Sequence, residues 1–145
     1  MSKVIVSKFG GSSMADQVAM ARSAKIAIER KSTIVVVSAT YGTTDQLLSL
    51  VKNAESGHWN ECEKVLFKLR EKHFDICQNV TQNQIISEQL RLLFNELETL
   101  IRGVFLLQEC SLKAKDQILS FGERISSLLF TEVLRETAQD RKSVV

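Results

Sequence analysis

The chain has 145 residues, 44% of them hydrophobic and 25% charged, with 19 Lys and Arg against 17 Asp and Glu for a net charge of +2. This is ordinary soluble-domain composition, and its near balance of charge excludes a polycationic nucleic-acid arm and an acidic disordered tail. No apolar run approaches the ~20 residues of a membrane span, and the opening MSKVIVSKFGG does not read as a signal peptide. Neither a nucleic-acid nor a membrane partner is therefore expected. Proline is absent, where average usage of about 5% would give roughly seven. Cys62, Cys77 and Cys110, with no CxxC spacing, fit reduced thiols in a cytoplasmic protein.

Two segments predict strands, residues 3–9 (KVIVSKF) and 32–39 (STIVVVSA). The second is a near-continuous β-branched run, which predicts a strand buried on both faces, as in a parallel sheet. Between them Met14, Val18, Ala21, Ala24 and Ile28 recur at helical spacing, predicting a helix from 14 to about 30. Strand, helix and strand within about forty residues form a βαβ unit, so the class is α/β. Thr43 and Thr44 can then cap a helix to about residue 54, interrupted by Gly57. Further helices are predicted over 60–77, 84–107 and 116–136. Leu90, Leu93, Leu97, Leu100 and Val104 form an apolar stripe on the third of these four helices; Ile118, Leu119, Ile125, Leu128, Leu129 and Val133 carry the pattern of the last. Two strands make a poor doubly wound sheet, so the chain reads as the front part of a larger α/β domain.

The most informative stretch is Val6-Ser7-Lys8-Phe9-Gly10-Gly11-Ser12-Ser13-Met14, leaving a strand and entering a helix. Ligands in α/β folds bind at strand C-terminal ends. Paired glycines let backbone N–H groups approach a phosphate, and Ser13 with Asp16 fits a Ser-x-x-Asp helix cap. A helix N-terminus would add partial positive charge, and Lys8 a full one. The stretch is neither GxxxxGK[ST] nor GxGxxG, so it is neither a Walker loop nor a dinucleotide site.

These residues match a family. Lys8-Phe9-Gly10-Gly11-Ser12-Ser13 resembles the N-terminal signature of aspartate kinases within the amino-acid kinase superfamily. Val37-Ser38-Ala39, continuing to Gly42-Thr43-Thr44, is similar to that family's Ser-Ala turn before a helix. Ser120-Phe121-Gly122-Glu123-Arg124-Ile125-Ser126 is similar to its Ser-x-Gly-Glu segment. The resemblance implies a three-layer sandwich with a mainly parallel sheet, of which residues 1–145 are the helix-rich, substrate-side N-terminal portion. It also implies transfer of the ATP γ-phosphoryl group to the side-chain carboxylate of L-aspartate, the first step of lysine, threonine and methionine synthesis. ATP with Mg²⁺ held mainly by its phosphates, a cytoplasmic location and a homo-oligomer when full length follow from the same resemblance. It assigns Lys8 as the catalytic charge, Lys8, Gly10, Gly11 and Ser12 to the ATP phosphates, and Ser38, Thr44 and Glu123 to aspartate. On spacing alone Ser38 and Thr44 are turn and cap residues, and Glu123 is an exposed helix carboxylate.

Length is the departure: the family's nucleotide-binding half and paired ACT regulatory domains do not occur before Val145. The expectation is a fragment or a shortened reading frame, with activity of the isolated segment in doubt. A fusion with a second enzyme, and a non-catalytic helical interaction module built on the Leu90–Val104 stripe, are the alternatives. His58 with Cys62 and His73 with Cys77 have helical ligand spacing for Zn²⁺. Along one helix, however, the two pairs stand about 16 Å apart, so no metal site is expected. Buried thiols and surface histidines fit better, with Trp59 as a packing residue.

Overall fold

The computed structural model describes residues 2–143 of the chain. Its elements run β1 (Val6–Phe9), a 3₁₀ turn (Gly11–Met14), α1 (Gln17–Glu29), β2 (Ile34–Val37), α2 (Thr43–Glu55), α3 (Trp59–Val80), α4 (Gln84–Leu107) and α5 (Leu112–Ser143). β1 and β2 pair in parallel, Val6 opposite Ile34 and Phe9 opposite Val37, which completes the βαβ unit read from the sequence. Both strands are shorter than their apolar runs, four residues each.

The expectation that β2 is buried on both faces is corrected. Side chains alternate across a strand, and in this register Val6, Lys8, Ile34 and Val36 share one face. That face is open: Val6, Ile34 and Val36 are 58%, 51% and 42% exposed. Val35 and Val37 on the opposite face pack against the core, and the Phe9 ring lies 6.0 Å from Phe130 of α5. The β-branched run therefore reports strand propensity on both faces but burial on only one.

The helices enclose one apolar core. Leu47 and Leu50 of α2, Leu69 of α3, Leu90, Phe94, Leu97 and Ile101 of α4, and Ile118, Phe121 and Ile125 of α5 are all essentially without solvent exposure. Each such side chain contributes roughly 1.5–3 kcal/mol relative to exposure. The α4 stripe thus belongs to the core, which removes the interaction-module alternative's only support. The ends of α4 coincide with the sequence expectation, whereas α5 runs beyond it in both directions. Trp59 packs on Phe105 at 5.2 Å with the Arg102 guanidinium 4.4 Å above its ring, a packing residue as expected. Among the described residues, no helix is long and apolar enough to cross a membrane.

Candidate functional site

The parallel pairing brings the C-terminal ends of β1 and β2 side by side, and the sequence motifs sit on the two turns that leave them. Lys8 ends the open face of β1, exposed and, among the described residues, in no ion pair. After Gly10 the chain enters the 3₁₀ turn, closed by Ser13 N–H donating to the Gly10 carbonyl at 3.1 Å. Gly10 and Ser12 are exposed; Gly11 faces the second turn, since a Cβ there would lie 3.6 Å from the Ala39 carbonyl oxygen. Ser13 does not cap a helix, contrary to expectation. The 3₁₀ turn delays the helix, and Asp16 is itself the N-cap of α1, its carboxylate accepting from Ala19 N–H at 2.8 Å. A carboxylate therefore occupies the helix end that the sequence offered to an anion.

The second turn, residues 38–44, is held from three sides. Ser38 N–H donates to the Phe9 carbonyl at 3.1 Å, joining it to the first turn. From α5, the buried Ser126 hydroxyl donates to the Ser38 carbonyl at 2.6 Å. From α3, Lys72 Nζ donates to the Tyr41 carbonyl at 2.7 Å, and burial pushes this ammonium's pKa down. Gly42 enters α2 at φ +79°, a left-handed conformation that costs an L side chain strain. It serves as the N-cap without a side-chain acceptor, so the expected capping by Thr43 and Thr44 is corrected: both lie inside the first turn of α2. Thr44 is exposed there, whereas Thr43 is buried.

α5 presses directly on this turn. A Cβ at Gly122 would fall 2.8 Å from Ala39 Cβ, so only glycine fits the observed approach. Glu123 follows it, exposed, on the rim of a groove of about 760 Å³ that Val35, Val37, Leu92, Leu93 and Arg124 also line. The structure thus brings the Lys8–Ser12 loop, the 38–44 turn and the Gly122–Ser126 stretch of α5 into one packed assembly. Glu123 opens onto the groove beside β2; no described cavity gathers all seven residues.

Sequence reasoning missed His73, Lys72 and Ser126, which hold the 38–44 turn. Cys62, Leu66, Leu69, His73, Ile76 and Cys77 are the buried residues of α3, and their spacing was a signal that His73 belongs to the apolar stripe. The expectation of a surface histidine therefore fails for His73, which is fully buried, and holds for the exposed His58. Burial pushes the His73 pKa down to about 4 and raises the thiols of Cys62 and Cys77. Among the described residues, no three His, Cys, Asp or Glu side chains gather as a metal-ligand set.

Residues 3–144 match the amino acid kinase family. The chain belongs to that family. It is 36% identical over 137 residues to lysine-sensitive aspartokinase 3 of Escherichia coli K12, covering 94% of this chain and 29% of that protein. It is 31% identical over 136 residues to the chloroplastic aspartokinase 3 of Arabidopsis thaliana, covering 90% of this chain and 24% of the relative. The crystal structure of E. coli aspartokinase III in complex with aspartate and ADP superposes with a TM-score of 0.83 at 36% identity, over 92% of this chain and 29% of that one. The chain therefore spans under a third of the length of these relatives.

Proposed function

We propose that this chain is the substrate-side portion of an aspartate kinase, carrying the aspartate site and part of the ATP phosphate site of a cytoplasmic biosynthetic enzyme. The observation that carries the reading is the assembly of three separate motif segments around the parallel strand ends. Likeness to aspartokinases, one of them solved with aspartate and ADP, supplies the substrates.

In this reading the side-chain carboxylate of aspartate attacks the γ-phosphorus of ATP. A P–O bond forms to the carboxylate as the bond to ADP breaks. A carboxyl with an ordinary pKa near ~3.9 is already ionised at neutral pH, so no general base is required. The work is positioning and charge stabilisation of a loose transition state. Lys8, exposed at the strand end, offsets charge on the transferring phosphoryl group. Gly10, Gly11 and Ser12 present backbone N–H groups and a hydroxyl to phosphate oxygens. Ser38 and Thr44 hydrogen-bond aspartate, helped by the N-terminus of α2, which has no side-chain cap. The Glu123 carboxylate receives the α-ammonium group through charged hydrogen bonds. Mg²⁺ would be held mainly by the nucleotide phosphates, which Lys8 and the Gly10–Ser12 segment contact in this reading. When bound it would supply positive charge to the nucleotide phosphates.

The test is Glu123→Ala in the aspartate kinase that contains this segment, with aspartate-dependent ADP release measured while each substrate is varied. The reading expects KM for aspartate to rise at least tenfold and KM for ATP to stay within about twofold. Equal changes for both substrates, or none for aspartate, would remove Glu123 from the site.

A further inference from the structure

Three buried groups at the 38–44 turn take no part in the proposed chemistry: Thr40, Thr43 and His73. The hydroxyls of Thr40 and Thr43 share a short hydrogen bond, and Thr40 Oγ1 lies 3.0 Å from His73 Nε2. His73 Nδ1 lies 2.7 Å from the Leu69 carbonyl oxygen, one turn back along α3. The direction of each bond follows by elimination. A carbonyl only accepts, so Nδ1 carries the proton of the neutral ring and Nε2 is the acceptor. Thr40 O–H must then donate to Nε2, and with its single proton so used it must accept from Thr43 O–H. The chain of donors runs from Thr43 to Thr40 to His73 to Leu69, every group buried and every bond with a defined sense.

We propose that His73 is a positioning residue: its neutral imidazole, fixed on α3, holds the 38–44 turn in place through Thr40. Lys72 and Ser126 grip backbone carbonyls at Tyr41 and Ser38. Among the described residues, the side-chain-to-side-chain hydrogen bond that reaches the turn from another element comes from His73, which so orients the segment between Ser38 and Thr44. That this turn binds aspartate rests on the function proposed above; that His73 sets its geometry rests on the hydrogen bonds alone. Phe94 of α4 packs beside the imidazole with ring centroids 5.8 Å apart, and both side chains are fully buried.

The test uses three single variants of the chain and the double variant that combines His73→Leu with Thr40→Val. His73→Gln keeps an acceptor within reach of Thr40, His73→Leu removes it at similar volume, and Thr40→Val removes the donor while keeping the shape. Amide hydrogen exchange is followed over the turn and over α4, and L-aspartate is titrated with NMR detection. In His73→Leu and Thr40→Val the turn amides exchange about tenfold faster, the scale of one lost buried hydrogen bond. The α4 amides change far less, and the aspartate Kd rises in step. His73→Gln stays within about threefold of the unaltered chain, and the Leu/Val double variant is no worse than either single one. An unchanged turn in His73→Leu and Thr40→Val overturns the proposal. So does uniform loss of protection across turn and α4, or a His73→Gln variant as impaired as His73→Leu. If the turn responds as described but the unaltered chain gives no aspartate-dependent shift, the positioning role stands and the aspartate reading falls.

Discussion

Gly122→Ala places a methyl carbon 2.8 Å from Ala39 Cβ, 3.4 Å from Leu47 Cδ1 and 3.7 Å from Thr43 Cγ2. Ala39 has no rotamer with which to move aside, so either α5 or the 38–44 turn must shift. Forcing a methyl into a packed site costs typically 1–3 kcal/mol, while alanine in a helix interior recovers about 1 kcal/mol relative to glycine. The net expectation is a loss of about 1 kcal/mol. Gly103, inside α4, supplies the control: a Cβ there meets nothing within 4 Å, so Gly103→Ala gains about 0.5–1 kcal/mol from propensity alone. Urea unfolding followed by circular dichroism measures both, with an unchanged slope m confirming that stability alone has moved. The variants should shift the midpoint in opposite directions. A Gly122→Ala protein as stable as Gly103→Ala would refute the packing argument and, with it, the close approach of α5 to the 38–44 turn.

Lys8→Ala in the enzyme containing this segment should lower kcat about 10²–10³-fold, the scale for one transition-state stabiliser; a variant keeping half the activity would exclude Lys8 from the mechanism. Burial lowers the His73 pKa from 6.5 to about 4, so between these values the unfolded chain binds a proton that the folded chain refuses. This contribution to stability is intact above pH 6.5 and is lost as pH falls toward 4, by on the order of 3 kcal/mol. Unfolding midpoints should show that slope, and His73→Gln should flatten it. Leu97→Ala, at a fully buried position of α4, should cost about 2–5 kcal/mol in the same denaturant assay; a loss below ~1 kcal/mol would contradict its place in the core.

The helices were legible because their apolar residues recur at the right spacing, most clearly in α4, where Leu90, Leu97 and Ile101 are all buried. Burial of the strands was not, because Ile34-Val35-Val36-Val37 has the same composition on its open face as on its packed one. Caps failed where backbone geometry decided. Gly42 at positive φ starts α2, and the 3₁₀ turn moves the α1 cap from Ser13 to Asp16. Lys8, the glycine pair, Ser38, Thr44 and Glu123 are the candidates that their motifs single out. The groups that hold the 38–44 turn could not be read this way, because Lys72, His73 and Ser126 act through contacts 31 to 88 residues away in sequence. Gly122 lies between these cases: its motif was visible, but its reason, the approach of Ala39, is a fact of tertiary packing.

The central claim is that this chain carries an aspartate site built on the 38–44 turn and Glu123. Titration of the isotope-labelled chain with L-aspartate, followed by the amide resonances of Ser38, Thr44 and Glu123, tests it most directly. The account predicts saturable shifts centred on these amides, abolished by Glu123→Ala and left intact by the remote exchange Gly103→Ala. Saturable shifts that persist in Glu123→Ala, or no response of these amides to aspartate, would contradict it.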